Sequence, residues 1–143
     1  MDGLIEDLAA LVFASHAALV MDSREGDRDP AVLFARVTRR TLRLVAGGPA
    51  FGRLLFDAGL PVDRFIGGLR MAMAGDIAAG AAAGVFRIDD VEIAISLTAG
   101  AILGASLDLH RGALPLAAVD AVTARLLESL GVAGDRAAAL VAE

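Results

Sequence analysis

Two histidines, His16 and His110, are the only imidazoles in this chain, and cysteine is absent. Without a thiolate beside them they make a thin ligand inventory for a transition metal, so no metal site is expected. His16 lies in an apolar stretch and reads as a buried or half-buried histidine with a satisfied partner. His110 precedes Arg111 and Gly112 and suits the last turn of a helix, where a cation meets the negative end of the macrodipole. Nucleophile elbow, phosphate loop, dinucleotide fingerprint and metalloprotease helix are all missing. No catalytic residue and no cofactor are therefore expected, and the chemistry left is binding. Phe13, His16, Phe51, Phe56, Phe65, Met71 and Met73 are the bulky candidates for the wall of a cavity, with Arg70 and Asp76 as polar contacts. Ligand cavities need mostly apolar walls with a few oriented polar groups, and methionine adapts to irregular shapes. Taken singly, each of these residues is better explained by plain core packing.

Two further patterns bear on partners. Arg36, Arg39, Arg40 and Arg43 recur at i, i+3, i+4 and i+7 and form one stripe of a helix. The stripe has no aromatic side chains between its members for base stacking, and the chain around it carries a net charge of −5. A solvated helix face is expected, and nucleic-acid binding through this chain is not. Ser96, Gly100 and Gly104 lie four apart, with Ala101 and Ala105 beside them, so two helix axes can approach closely there.

The elements that must position these residues are helices. Tyr and Trp are absent while Ala and Leu abound, which leaves little strand signal. A first helix is expected over about 4–21. Asp2, Glu6 and Asp7 lie at its positive end, and Leu4, Leu8, Leu11, Val12, Ser15 and Leu19 recur at three- and four-residue spacing. Residues 22–29 read as a polar linker, solvated and mobile within a single domain spanning 1–143. Asp29 and Pro30 cap and start a second helix, with Leu33, Phe34, Val37, Thr41, Leu44 and Val45 on its apolar face. A short third helix is expected over about 50–58, and a fourth from Pro61 to about 83, stopped by Gly84. Interior glycines such as Gly67, Gly68, Gly75 and Gly80 each disfavour that helix by about 0.5–1 kcal/mol, which suggests close backbone approach by a neighbour or a ligand. Asp89 with Glu92 makes a capping-box start for a fifth helix reaching about Arg111. A sixth follows from Leu114–Pro115 to about Leu130, and a last short turn from Asp135 carries Leu140 and Val141.

The chain has 143 residues, of which 57% are hydrophobic and 22% charged, so it can bury a real core. Its apolar surplus needs a cover, which a subunit interface or an internal cavity would provide. Mean hydropathy is +0.66, which raises the question of a membrane. The longest uncharged stretch, Ile93–Leu107, falls short of the roughly 18–20 residues that span a bilayer, and it contains Ser96, Thr98 and Ser106. No membrane partner is expected, and the acidic N-terminus does not look like a signal peptide.

The segment GDIAAGAAAGVFRIDDVEIAISLTAGAILGASLDL, from Gly75 to Leu109, resembles the C-terminal domain of TetR-family transcription regulators. There a helix ending in small residues meets a G-x-F-R-x-D-D turn, matched here by Gly84, Phe86, Arg87, Asp89 and Asp90, and then by Ala99, Gly100 and Gly104. The order of helices before it is similar to that family too. The resemblance implies an all-α bundle of about six helices whose last two long helices, about 90–110 and 116–130, pair with those of a second copy in a four-helix bundle. Its candidate contacts are Ser96, Gly100, Leu103, Gly104, Leu107, Val119, Thr123, Leu126 and Leu127, in a self-complementary interface of roughly 2,000 Å² or more. The family's sensor pocket sits among the first and fourth helices, which gathers the aromatic and methionine candidates into one set. By resemblance the chain is a cytoplasmic effector-sensing and homodimerising domain, of a repressor by expectation, for a small hydrophobic effector. Family members also carry an N-terminal helix-turn-helix, and nothing like it occurs here. Any contact with DNA is thus expected only through a domain absent from this chain, which reads as a truncation. Two other readings remain: a helical dimeric interaction module with no small-molecule ligand, and a small membrane-associated helical protein.

Overall fold

Asp29 and Pro30 open the helix around which the others are arranged. Asp29 is extended (φ −71°, ψ 118°) and its carboxylate accepts from the Ala31 N–H, while Pro30 occupies the first turn, where an N–H would have no helical partner. The helix that follows, α2 (Pro30–Ala46), buries Leu33, Phe34, Val37, Thr41 and Val45 as the spacing predicts, and Ala31, Ala35, Thr38 and Leu42 besides. Each large side chain removed from water this way stabilises the fold by about 1.5–3 kcal/mol. Every other helix packs on α2.

The computed structural model describes residues 2–59 and 62–142, the side chains of Asp2, Ile5, Glu6, Leu8, Ala9 and Pro49 excepted. The expected roles of Asp2, Glu6 and Leu8 in the first helix, and of Pro61 at the start of the fourth, lie outside the described residues. Among those residues the chain is all-helical. It comprises α1 (Asp2–Ser23), α2, α3 (Pro49–Gly52) running into a π turn (Arg53–Asp57), α4 (Val62–Ala82), α5 (Val91–Arg111), α6 (Ala118–Ser129) and α7 (Gly134–Ala142). α1 lies against α2, α4 and the π turn; α5 lies against α2, α3 and α4; α6 and α7 pair with each other and with α2.

Several local expectations are corrected. The segment read as a closing turn is a full helix, α7, because Ala137, Leu140 and Val141 share one face and bury it. α6 begins at Ala118, because the residues after Pro115 first form tight turns in which Ala118 N–H donates to Pro115 O and Val119 N–H to Leu116 O. The N-cap of α5 is Asp90, whose extended backbone lets its carboxylate accept from the Ile93 N–H at 3.1 Å, so Asp89 lies one residue too early to cap.

The polar linker is not a free loop. Asp22 and Ser23 complete α1, and Ser23 is fully buried. Arg24 donates two hydrogen bonds to the buried Asp76 of α4, at 2.8 and 2.7 Å. Arg36 donates to the carbonyl oxygens of Ser23 and Glu25, Arg40 pairs with Asp22 at 2.6 Å, and Arg136 of α7 pairs with Asp29 at 3.0 Å. The arginine stripe is solvated in part, with Arg40 and Arg43 exposed, and is ion-paired as well. Arg39 and Arg43 meet Asp120 of α6 at 2.9 and 3.3 Å, so the stripe clamps helices together through carboxylates.

Only Gly80 among the interior glycines of α4 marks a close approach. A Cβ there would overlap the ring of Phe86, which stands edge-on to Phe34 (centroids 6.1 Å apart). Gly67, Gly68 and Gly75 face open space. Gly84 ends α4 with φ +75°, a conformation that favours glycine. The chain then turns through Phe86 and Arg87, whose N–H donates to Leu130 O at 2.8 Å. Gly131 (φ +88°) abuts that turn so closely that a Cβ would lie 2.6 Å from Arg87 Cβ.

Candidate ligand groove and dimerisation face

α1 presents Phe13, His16, Ala17, Val20 and Met21 along one stripe, and α4 answers with Arg64, Phe65, Gly68, Met71 and Ala72. Between them runs a groove of about 320 Å³. It exists because α4 offers hydrogen and methyl groups at Gly68 and Ala72, where larger side chains would close the gap. His16 forms part of its inner wall and is 5% exposed. Its Nε2 lies 3.1 Å from Thr41 Oγ1 of α2, and its ring stands edge-on to Phe65, centroids 5.5 Å apart. Burial holds the His16 pKa below the ordinary 6.5, because the imidazolium would lose its hydration. At the lip, the Arg64 guanidinium lies 5.0 Å over the Phe13 ring. Met21 and Met71 form the rest of the rim and are 72% and 84% exposed.

The groove brings together four of the expected pocket residues: Phe13, His16, Phe65 and Met71. The other four are elsewhere. Phe51 is a core residue packed on Phe65 (5.9 Å), and Phe56 stacks on His110 at 5.7 Å. Arg70 faces Glu92 at 3.6 Å on the α5 side of α4. Met73 lies in the core, where the space beside it is about 10 Å³, barely room for a single water. Asp76 is taken by Arg24. Ala17, Val20, Met21, Arg64, Gly68 and Ala72 were missed. Helical spacing from Phe13 and Phe65 would have found all of them but Arg64, since i+3, i+4, i+7 and i+8 share a face.

His110 does more than end a helix. Its Nε2 meets Asp57 Oδ2 at 2.8 Å, and its ring closes on Gly52, so it pins α3 and the π turn to the end of α5.

Along α5 the outward stripe holds Ile93, Ser96, Leu97, Gly100 and Gly104, all exposed, with Leu103 and Leu107 half-buried. A Cβ at Gly100 or Gly104 would meet nothing within 4 Å. By length and composition α5 could cross a membrane, yet it also packs on three helices, and 28% of its most apolar stretch is buried. Of the α6 residues expected at an interface, Val119, Thr123 and Leu127 are corrected to the interior: they are 1%, 0% and 0% exposed, beyond the reach of a second copy. Leu126, at 9%, borders an apolar groove of about 210 Å³ between α5 and α6, together with Leu97 and Leu130.

The family model described as "Tetracyclin repressor-like, C-terminal domain" matches residues 29–143. The chain belongs to this family. Among curated proteins no relative matches. Among solved structures, RolR in complex with the ligand resorcinol superposes with a TM-score of 0.81 at 20% sequence identity, over 100% of this chain and 71% of RolR. At that identity the likeness speaks to the fold, and the fold it shows is that of a TetR-like C-terminal domain.

Proposed function

We propose that this chain is the effector-sensing and dimerising domain of a cytoplasmic TetR-like regulator, a repressor by expectation, and that it works by binding and not by catalysis. A small, largely apolar ligand occupies the groove between α1 and α4. The exposed stripe of α5 pairs with that of a second copy. The reading is supported above all by the groove itself, a mostly apolar space of about 320 Å³ between the two helices from which the resemblance leads one to expect a sensor. RolR, of like fold, holds a ligand of one aromatic ring, a size class that such a volume accommodates. Ligand shifts the balance between two arrangements of α1 relative to α4 only by as much as it binds one better than the other. That shift is read by a DNA-binding region outside this chain.

A rival reading is a helical dimer without a small-molecule ligand. The exposure of Met21 and Met71 favours it, because a protein surface would cover them as well as a ligand would. A thermal-shift screen against aromatic acids, fatty acids and hydrophobic drugs separates the two. A ligand present at a hundred times its Kd adds about 2.7 kcal/mol to the unfolding free energy. Gly68→Leu fills the groove without a backbone clash, since a Cβ at Gly68 meets nothing within 4 Å. The variant is expected to fold and to lose the ligand response. A response that survives in Gly68→Leu would place the ligand elsewhere.

A further inference from the structure

We infer that the effector of the α1–α4 groove is an amphiphilic carboxylic acid, held by its carboxylate at Arg64 with its apolar body along Val20 and Met71; the inference rests on the sensor reading above. Among the described residues Arg64 is the one charged group in the groove lining, and neither Asp nor Glu lines it. Among the described residues no carboxylate lies within ion-pair distance of Arg64, although the chain has 18 acidic against 13 basic residues. Arg28, Arg53, Arg87 and Arg111 likewise have no carboxylate within that distance among the described residues, but none of them lines the groove, so Arg64 is the one such cation at its lip. Its guanidinium lies over the face of Phe13, a placement that steadies the planar fork and leaves its N–H edge free for a bidentate oxygen pair. Among the described residues the rest of the lining supplies no second charge. His16, in the inner wall against Phe65, is held toward its neutral form by burial, and its Nε2 is engaged with Thr41. A matching ligand therefore has one anionic end and an uncharged body. The volume of about 320 Å³ stands at the small end of ligand cavities, roughly 300–1,000 Å³, which suits one ring with a short chain.

The test is calorimetric titration of the whole chain with three probes of like shape: 4-phenylbutanoate, 4-phenylbutan-1-ol and 4-phenylbutylamine. The acid is expected to bind about tenfold more tightly than the alcohol, as a charge-assisted hydrogen bond allows, and the amine more weakly than either. Arg64→Met is expected to abolish the advantage of the acid and to leave the alcohol unchanged. Added salt is expected to weaken the acid alone, and this arm stands even where the variant does not fold. Equal affinity for acid and alcohol, or an acid advantage that survives both Arg64→Met and salt, overturns the assignment of charge. If the alcohol then still binds, and Gly68→Leu abolishes it, the groove reading survives without the carboxylate. If none of the three binds, the assignment of charge falls, and the sensor reading rests on the thermal-shift screen alone.

Discussion

His16 shows how much one side chain's type can reveal. Its apolar surroundings in sequence point to a buried imidazole with a satisfied partner, and it is buried with Nε2 on Thr41. The identity of a partner is harder to read. Arg24 meets Asp76 from 52 residues away, His110 meets Asp57 from 53, and Arg39 meets Asp120 from 81. A charge pattern within one helix carries no information about carboxylates that arrive from another, which is why the ion pairs of the arginine stripe are not legible in its spacing. The His16 environment has a consequence for pH. Its folded pKa is depressed below 6.5, so the unfolded chain takes up a proton first as pH falls. Between 6.5 and the lower folded pKa this group makes stability decline with falling pH, and below the folded value the loss is complete. Urea denaturation across that range should show a steeper loss for the native chain than for His16→Gln. Equal slopes would show that the ring does not carry the linkage.

At the level of elements, helix ends are the most legible feature and helix faces the least. Asp29–Pro30, Gly84 and Gly112 announce their termini because capping and left-handed stops demand particular residue types. Whether an apolar face meets its own chain or another is not written in its apolarity. Val119, Thr123 and Leu127 share a greasy stripe of α6 that packs inward, while Leu97 on α5 is 70% exposed. The glycines of α4 are ambiguous in the same way, since composition cannot tell a glycine that is required from one that is merely present. The structure separates them and predicts opposite signs. Gly75→Ala, in open space on an exposed helix surface, should stabilise the protein by about 0.5–1 kcal/mol. Gly80→Ala, which drives a methyl into the Phe86 ring, should destabilise it by about 1–3 kcal/mol. Chemical denaturation of the two variants side by side tests the pair, and a shared sign would contradict the packing described for the Phe86 corner.

For the whole molecule, the all-helical class and the family were both legible, the class from composition and punctuation, the family from the GVFRIDD turn and the order of helices. The groove was legible only in part, because it depends on what α4 lacks at Gly68 and Ala72 as much as on the bulky residues around it. The proposed pairing through α5 belongs to this scale. Leu97→Glu sets a charge in the middle of the exposed stripe and is expected to convert a dimer into a monomer in light scattering, with the helical circular dichroism signal unchanged. A native chain that already scatters as a monomer would end that proposal. The corner where Gly80 meets Phe86 and Gly131 meets Arg87 has a different reach. Neither position has room for even a methyl, yet neither lines the groove, so the walls facing a ligand can be rewritten freely while the corner stays fixed. Such a partition allows descendants of one scaffold to diverge in what they recognise without relearning how to fold.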